Sequence, residues 1–320
     1  MSTFRHYQKI EKLGATVAAI GNFDGVHRGH QGLLNLARER SEHHGCVMAA
    51  LTFYPHPSEV VGRRAPVPAL YTLSDRLALL QHYGVQAILA QEFDLEFAGL
   101  SPNAFVRDVL VDALQVRAVV VGYNFGFGAK REGRVERLSR LGDELGFEVH
   151  VVKPIRDELE GDISSTRIRD AVVDGRLDEA AACLGRNHSV TGRVERGEQR
   201  GRLIGFPTLN LAPDVPTLPP NGVYAGWLDS GEHLMPAVAN LGYTPTFGSE
   251  RPRRLEVHVL NAVLPTIYGH SVRFYFHRKL RAEQKFSGPD ALKEQIALDC
   301  QAARDSLAEQ SAPPRFSLGI

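Results

Sequence analysis

Cysteine is scarce in this 320-residue chain: Cys46, Cys183 and Cys300 stand far apart and form no C-x-x-C pair. That spacing disfavours a disulfide framework and a structural zinc site alike, and it fits a reducing cytoplasm. Net charge is also lacking, because 37 Lys and Arg are matched by 37 Asp and Glu. A dedicated polyanion binder is disfavoured on that ground, so phosphate affinity must be local and no nucleic-acid partner is expected. Long apolar runs are missing as well. No stretch approaches the roughly 18 apolar residues of a membrane span, and the opening Met1-Ser-Thr-Phe-Arg-His-Tyr-Gln-Lys9 lacks a signal-peptide core. The expectation is a soluble, cytoplasmic protein with no membrane partner and at most a weak homo-oligomer. Neither an internal repeat nor a low-complexity linker breaks the chain.

What is present is ordinary globular material, 43% hydrophobic and 23% charged, in a length that suggests two domains. The first half alternates helical patterns with short apolar runs: Thr16-Val-Ala-Ala-Ile20, Val47-Met-Ala-Ala-Leu51 and Val119-Val-Val121. Such runs predict buried parallel strands in β-α-β units. Thr72 with Asp75, and Ser101 before Pro102, predict helix starts, while Gly84 and Gly146 predict stops. After about residue 186 the texture changes to short alternating segments such as Leu255–Leu260 and Val272–Phe276, which predict antiparallel strands. A helical pattern returns from Pro289 to about Ala308, with Leu292, Ile296 and Leu298 or Asp299 as a mostly apolar stripe, before Pro313 and Pro314 end regular structure.

Chemistry enters in the run Gly21-Asn-Phe-Asp-Gly-Val-His-Arg-Gly-His30, placed where a strand turns into a helix. The unpaired N–H groups and the dipole of a helix start favour an anion. Two histidines three positions apart on a helix lie about 60° apart and roughly 4.5 Å along the axis, so both could reach one triphosphate. The H-x-x-H pair alone is weak, since 13 histidines make about half of one such pair by chance. Zinc binding competes as a reading, although only Asp24 stands near as an added ligand. Farther on, Ile163-Ser-Ser-Thr-Arg-Ile-Arg169 opens another predicted helix with three hydroxyls and two arginines, read either as simple capping or as phosphate neutralisation.

In the second half, Gly197 to Asn210 combines a glycine-rich approach with Thr208 and Asn210 two residues apart. A backbone so free of side chains, with Gly201 and Gly205, could wrap phosphate, and the two hard oxygens would suit Mg²⁺. A turn entering an edge strand is the plain alternative.

Taken together, Gly21–His30 and Ile163–Arg169 resemble the paired H-x-G-H and I-S-S-T-x-x-R motifs of Rossmann-like nucleotidyltransferases. Thr52-Phe-Tyr-Pro-His-Pro57 and Val121-Gly-Tyr-Asn-Phe-Gly-Phe-Gly128 resemble segments of the adenylyltransferase module of bacterial bifunctional riboflavin kinase/FAD synthetases. Gly205-Phe-Pro-Thr-Leu-Asn210, Pro220–Tyr224, Ala239–Phe247 and Leu255-Glu-Val-His258 follow in the order of that family's kinase half, so the resemblance covers nearly the whole chain.

The resemblance implies a parallel-sheet α/β Rossmann-like domain over residues 1–185. A small antiparallel β-barrel with a C-terminal helix would occupy 186–310. It implies ATP contacts at Gly21, Phe23, Asp24, Gly25, His27, His30, Ser164, Ser165, Thr166 and Arg169 in the first site, and at Gly201 and Gly205 in the second. Flavin would meet Phe53, Pro57, Asn124 and Phe125. Thr208 and Asn210 would hold Mg²⁺, Glu256 would be the base, and His27, His30 and Arg169 would serve adenylyl transfer. The implied chemistry is phosphorylation of riboflavin to FMN by ATP, then adenylyl transfer to give FAD and pyrophosphate, with small molecules as the partners. Two positions depart from the family: Asn261 where Asp is common, and Asn124 where an acidic residue is frequent. A nucleotidyltransferase for another phosphorylated substrate, or a catalytically silent flavin-binding regulator, would be the alternatives.

Overall fold

The computed structural model describes residues 2–10, 13–62, 67–155, 161–197, 201, 204–243, 253–260 and 267–318. Asn261, Thr244–Phe247 and residues 198–200 of the glycine-rich approach fall outside them. The chain divides into two compact units: Met1–Val67 with Arg76–Ser164, and Pro68–Asp75 with Ser165–Ile320.

In the first unit the strands are β1 (Ser2–Phe4), β2 (Thr16–Ile20), β3 (Val47–Tyr54), β4 (Ala87–Glu92), β5 (Val116–Gly122), a small hairpin of β6 (Gly126–Phe127) and β7 (Gly133–Arg134), and β8 (Glu148–Val152). All but the hairpin form one parallel sheet in the order β1-β4-β3-β2-β5-β8. Each of the three expected apolar runs lies within one of these strands, and every residue of β2 is buried, as a sheet covered on both faces requires. The helix signals hold too. Thr72 Oγ1 accepts from the Asp75 N–H and donates to the Asp75 carboxylate, both at 3.0 Å. Ser101 caps the helix beginning at Pro102, and Gly146 ends the helix Val135–Leu145 at φ 82°. From β2 the chain crosses to β3 on one side, whereas β5 lies on the other. The carboxyl ends of β2 and β5 therefore flank the crevice where open α/β sheets take ligands.

The second unit is a closed antiparallel barrel in the order β10-β13-β12-β11-β14-β9. Its strands are β9 (Ser189–Glu195), β10 (Leu209–Pro213), β11 (Gly222–Asp229), β12 (Leu234–Tyr243), β13 (Arg253–Val259) and β14 (Ser271–Arg281). Period-two alternation sends Val194, Leu211, Leu241, Leu255 and Val257 to the interior. The helix Pro289–Leu307 packs on β11, β12 and β14, and β11 is buried along its whole length, with Tyr224 and Leu228 in the barrel core and Asp229 paired with Arg315.

Of the two candidates for the helix stripe, Asp299 is the buried one and Leu298 is 64% exposed, and Cys300, Ala303 and Leu307 are buried beside Asp299. Asp299 can be buried because Arg281 pairs with both carboxylate oxygens, at 2.9 and 2.7 Å. By packing, the helices that lead up to residue 185 group with the second unit. The helices Ser165–Val173 and Leu177–Leu184 pack on each other, and the latter packs on β14. Regular structure does end near Pro313, yet the chain beyond it stays packed: Phe316 is buried with its ring 3.6 Å from the Arg273 guanidinium.

Candidate functional site

Past Ile20 the first unit makes a tight turn in which Phe23, Gly25 and Val26 all have positive φ, at 51°, 86° and 39°. Phe23 and Val26 sit in a region that side chains rarely adopt, the kind of strain that collects at ligand sites. His27 is the N-cap of the helix Arg28–His44, its Nδ1 facing the His30 N–H at 3.4 Å. The expected side-by-side histidines on a helix are thus corrected. His27 stands before the helix in extended backbone, so its ring stacks on His30 with centroids 3.7 Å apart and planes 22° apart. The stack has little room beneath it, because a Cβ at Gly29 would lie 3.0 Å from the His27 ring. Phe23 is wholly buried against Gly21 and His30, so it can offer a ligand only its backbone. Asp24 is buried as well. Its charge acts on Arg76, whose pKa burial pulls down and Asp24 partly restores.

Neighbouring loops join this turn. Thr52 Oγ1 donates to Asn22 O at 2.9 Å, and the Asn22 amide is hydrogen-bonded to His56 Nε2 at 2.9 Å. His56 in turn caps the short helix that starts at Pro57. Phe53 is half-buried against Phe93 and Phe97. After β5, Asn124 is exposed, and Phe125 stacks on Phe127 with centroids 5.6 Å apart. Gly21–His30, Phe53–Pro57 and Asn124–Phe125 thus lie at or just beyond the carboxyl ends of β2, β3 and β5, which are neighbours in the sheet. Asn22 and His56 were not picked out from sequence. The signal for them was a histidine inside a proline loop after the strand beside β2.

Ile163 and Ser164 belong to this unit, and the Ile163 carbonyl lies 3.8 Å from where a Cβ on Gly29 would stand. Ser165, Thr166 and Arg169 open the helix Ser165–Val173 and belong to the second unit. Arg169 Nη1 donates to Thr166 Oγ1 at 3.5 Å, whereas Arg167 pairs with Glu179 at 2.8 Å. Of the two arginines read as phosphate ligands, Arg167 is therefore held by a carboxylate.

On the barrel, one register position runs laterally across four strands: Glu195 of β9 pairs with Asn210 of β10, Asn210 with Glu256 of β13, and Glu256 with Asn240 of β12. Directly paired residues of a sheet point the same way. Since Val194, Leu211, Leu255 and Leu241 point inward, the polar row points out. Glu256 is exposed on it, and Arg254 forms an ion pair with Glu195. Asn240 joins the row although the sequence reading gave it no role; its place follows only from the register.

Glycines hold the end of this row. A Cβ on Gly197 would lie 2.0 Å from the Asn210 amide, and one on Gly201 would lie 2.3 Å from Phe206 O and 3.3 Å from Thr208 Oγ1. Gly201 O accepts from the Phe206 N–H at 2.8 Å, and Gly205 takes φ 89°. His258 Nδ1 is 2.8 Å from Pro207 O. The oxygens of Thr208 and Asn210 are neutral and hard, a donor set that fits Mg²⁺ shared with nucleotide phosphates. Among the described residues, no group of three His, Cys, Asp or Glu is placed to hold a metal ion.

Comparison with known proteins decides the family. The FAD synthetase family matches residues 9–167 and the riboflavin kinase family matches residues 184–307. The bifunctional riboflavin kinase/FMN adenylyltransferase of Escherichia coli K12 is 39% identical over 90% of this chain and 92% of its own. The chain belongs to the bifunctional riboflavin kinase/FMN adenylyltransferase family. The member from Bacillus subtilis is 33% identical over 94% of this chain and 95% of its own. A crystal structure named as a macrolide-efflux protein from Streptococcus pneumoniae has 30% identity and a TM-score of 0.85, covering 95% of this chain and 98% of that one. Among the described residues of this family member, no helix is long and apolar enough to cross a membrane.

Proposed function

We propose that the outer row of the barrel and the histidine turn of the α/β unit are the two active sites of an enzyme that phosphorylates riboflavin to FMN and adenylylates FMN to FAD. The observation that carries this reading is the register pairing of Asn210 with Glu256, in a chain whose two halves match the two families in order.

At the barrel site Glu256 takes the proton of the ribityl 5′-hydroxyl while that oxygen attacks the γ-phosphorus of ATP and ADP leaves. Thr208 and Asn210 would hold Mg²⁺, which when bound neutralises phosphate charge. Gly201 and Gly205 let the backbone approach the nucleotide. Placing both reactants on one rigid row of paired strands supplies much of the rate.

At the other site a phosphate oxygen of FMN attacks the α-phosphorus of ATP and pyrophosphate leaves. FMN phosphate is already a nucleophile, so no covalent enzyme intermediate is needed. His27, His30 and Ser164 hold the triphosphate and offset its charge. Phe53, Pro57, Asn124 and Phe125 border the flavin.

Incubation with riboflavin, ATP and Mg²⁺ followed by separation of the flavins tests the reading. FMN and FAD together are expected. Unchanged riboflavin would contradict it and favour a flavin-binding regulator.

A further inference from the structure

We infer that His258 is a positioning residue for phosphoryl transfer, fixing the peptide that presents Thr208 and Asn210 to the strand that presents Glu256. The inference rests on the kinase-site reading above. His258 lies two residues beyond Glu256 on β13, so the two side chains share the barrel's outer face. Its Nδ1 is 2.8 Å from Pro207 O, and its ring meets Phe206 edge-on, with centroids 5.4 Å apart at 76°. A carbonyl can only accept, so Nδ1 carries the proton and the tautomer is set.

The bond is placed where the loop needs it. Pro207 has no N–H to give, and β10 begins only at Leu209. Thr208 therefore lies on a short span between the Phe206–Gly201 hydrogen bond and the strand ladder. His258 holds the carbonyl immediately before Thr208 and draws it toward β13. It acts through the groups that would hold Mg²⁺, as the outer partners of metal ligands do, and touches neither reactant.

The test uses the full chain with wild type, His258→Ala, His258→Asn and Asn210→Ala. Calorimetry with ADP and Mg²⁺ measures binding without turnover, and the Mg²⁺ dependence of riboflavin phosphorylation is measured beside FMN adenylylation. His258→Ala should weaken binding of ADP with Mg²⁺ and raise the Mg²⁺ needed for half-maximal phosphorylation about tenfold. Adenylylation should be unchanged. Asn places an amide N–H near the position of Nδ1, so His258→Asn should recover most of the loss. A His258→Ala protein that melts earlier but keeps its Mg²⁺ dependence would overturn the inference, as would failure of His258→Asn to rescue. If Asn210→Ala leaves the Mg²⁺ dependence intact, the kinase-site reading itself fails. If Asn210→Ala disturbs that dependence and His258→Ala does not, only the role of His258 fails.

Discussion

Asn210 and Glu256 oppose each other at one register position of adjacent antiparallel strands, on the outer face of the barrel. The side chain proposed to hold the metal and the proposed base are thus fixed by the same ladder. Whatever displaces Asn210 should disturb riboflavin phosphorylation first.

Gly197→Ala is the smallest such change. Its methyl group would have to occupy a point 2.0 Å from the Asn210 amide nitrogen, which no flexible adjustment of the added atom can avoid. Riboflavin phosphorylation should fall about 10²-fold, the scale of loss for a site group moved out of place by an ångström. Adenylylation of supplied FMN should continue, and a paired assay of the two reactions checks this.

A buried ion pair joins two distant segments of the second unit. Arg273 is wholly buried, donates to Asp75 at 2.6 Å, to Thr191 Oγ1 at 3.2 Å and to Phe316 O at 2.7 Å. Arg273→Met would leave the Asp75 carboxylate buried without its cation, a change that costs about 3–5 kcal/mol. Trp227, the one tryptophan of the chain, lies on β11 of the same unit and reports its unfolding by fluorescence in urea.

His188 makes that stability depend on pH. It lies buried beside Phe276, with rings 6.0 Å apart at 14°, and Tyr71, and burial pulls its pKa from 6.5 down to about 4, with Arg186 adding to the effect. The unfolded chain takes up this proton near pH 6.5, the folded chain only near 4. Stability from this group is complete above about 6.5 and drains away as pH falls toward 4, by on the order of 3 kcal/mol. Urea midpoints across that window should fall for wild type and flatten for His188→Phe.

Local signals made much of this legible beforehand. Continuous apolar runs gave the parallel strands, Thr72 and Ser101 gave helix starts, and Leu255–Leu260 and Val272–Phe276 gave barrel strands because alternation is written residue by residue. The misses were nonlocal. His27 stacks on His30 because it caps the helix and does not lie within it. Asn240 enters the site only through strand register, and Arg167 is taken by Glu179 twelve residues away. The grouping of Pro68–Asp75 with the second unit has no trace in composition, since its partners, Thr217 for the Ala69 carbonyl and Thr191 and Arg273 for Asp75, come more than a hundred residues later.

The central claim is that two separate sites serve two reactions, and crossing two single variants measures it most directly. His30→Ala and Glu256→Gln are each assayed for FMN formation from riboflavin and for FAD formation from supplied FMN. Glu256→Gln should lower phosphorylation by about 10²–10⁴, the worth of a general base, and spare adenylylation. His30→Ala should do the reverse. Equal loss of both activities in either variant would contradict the two-site account.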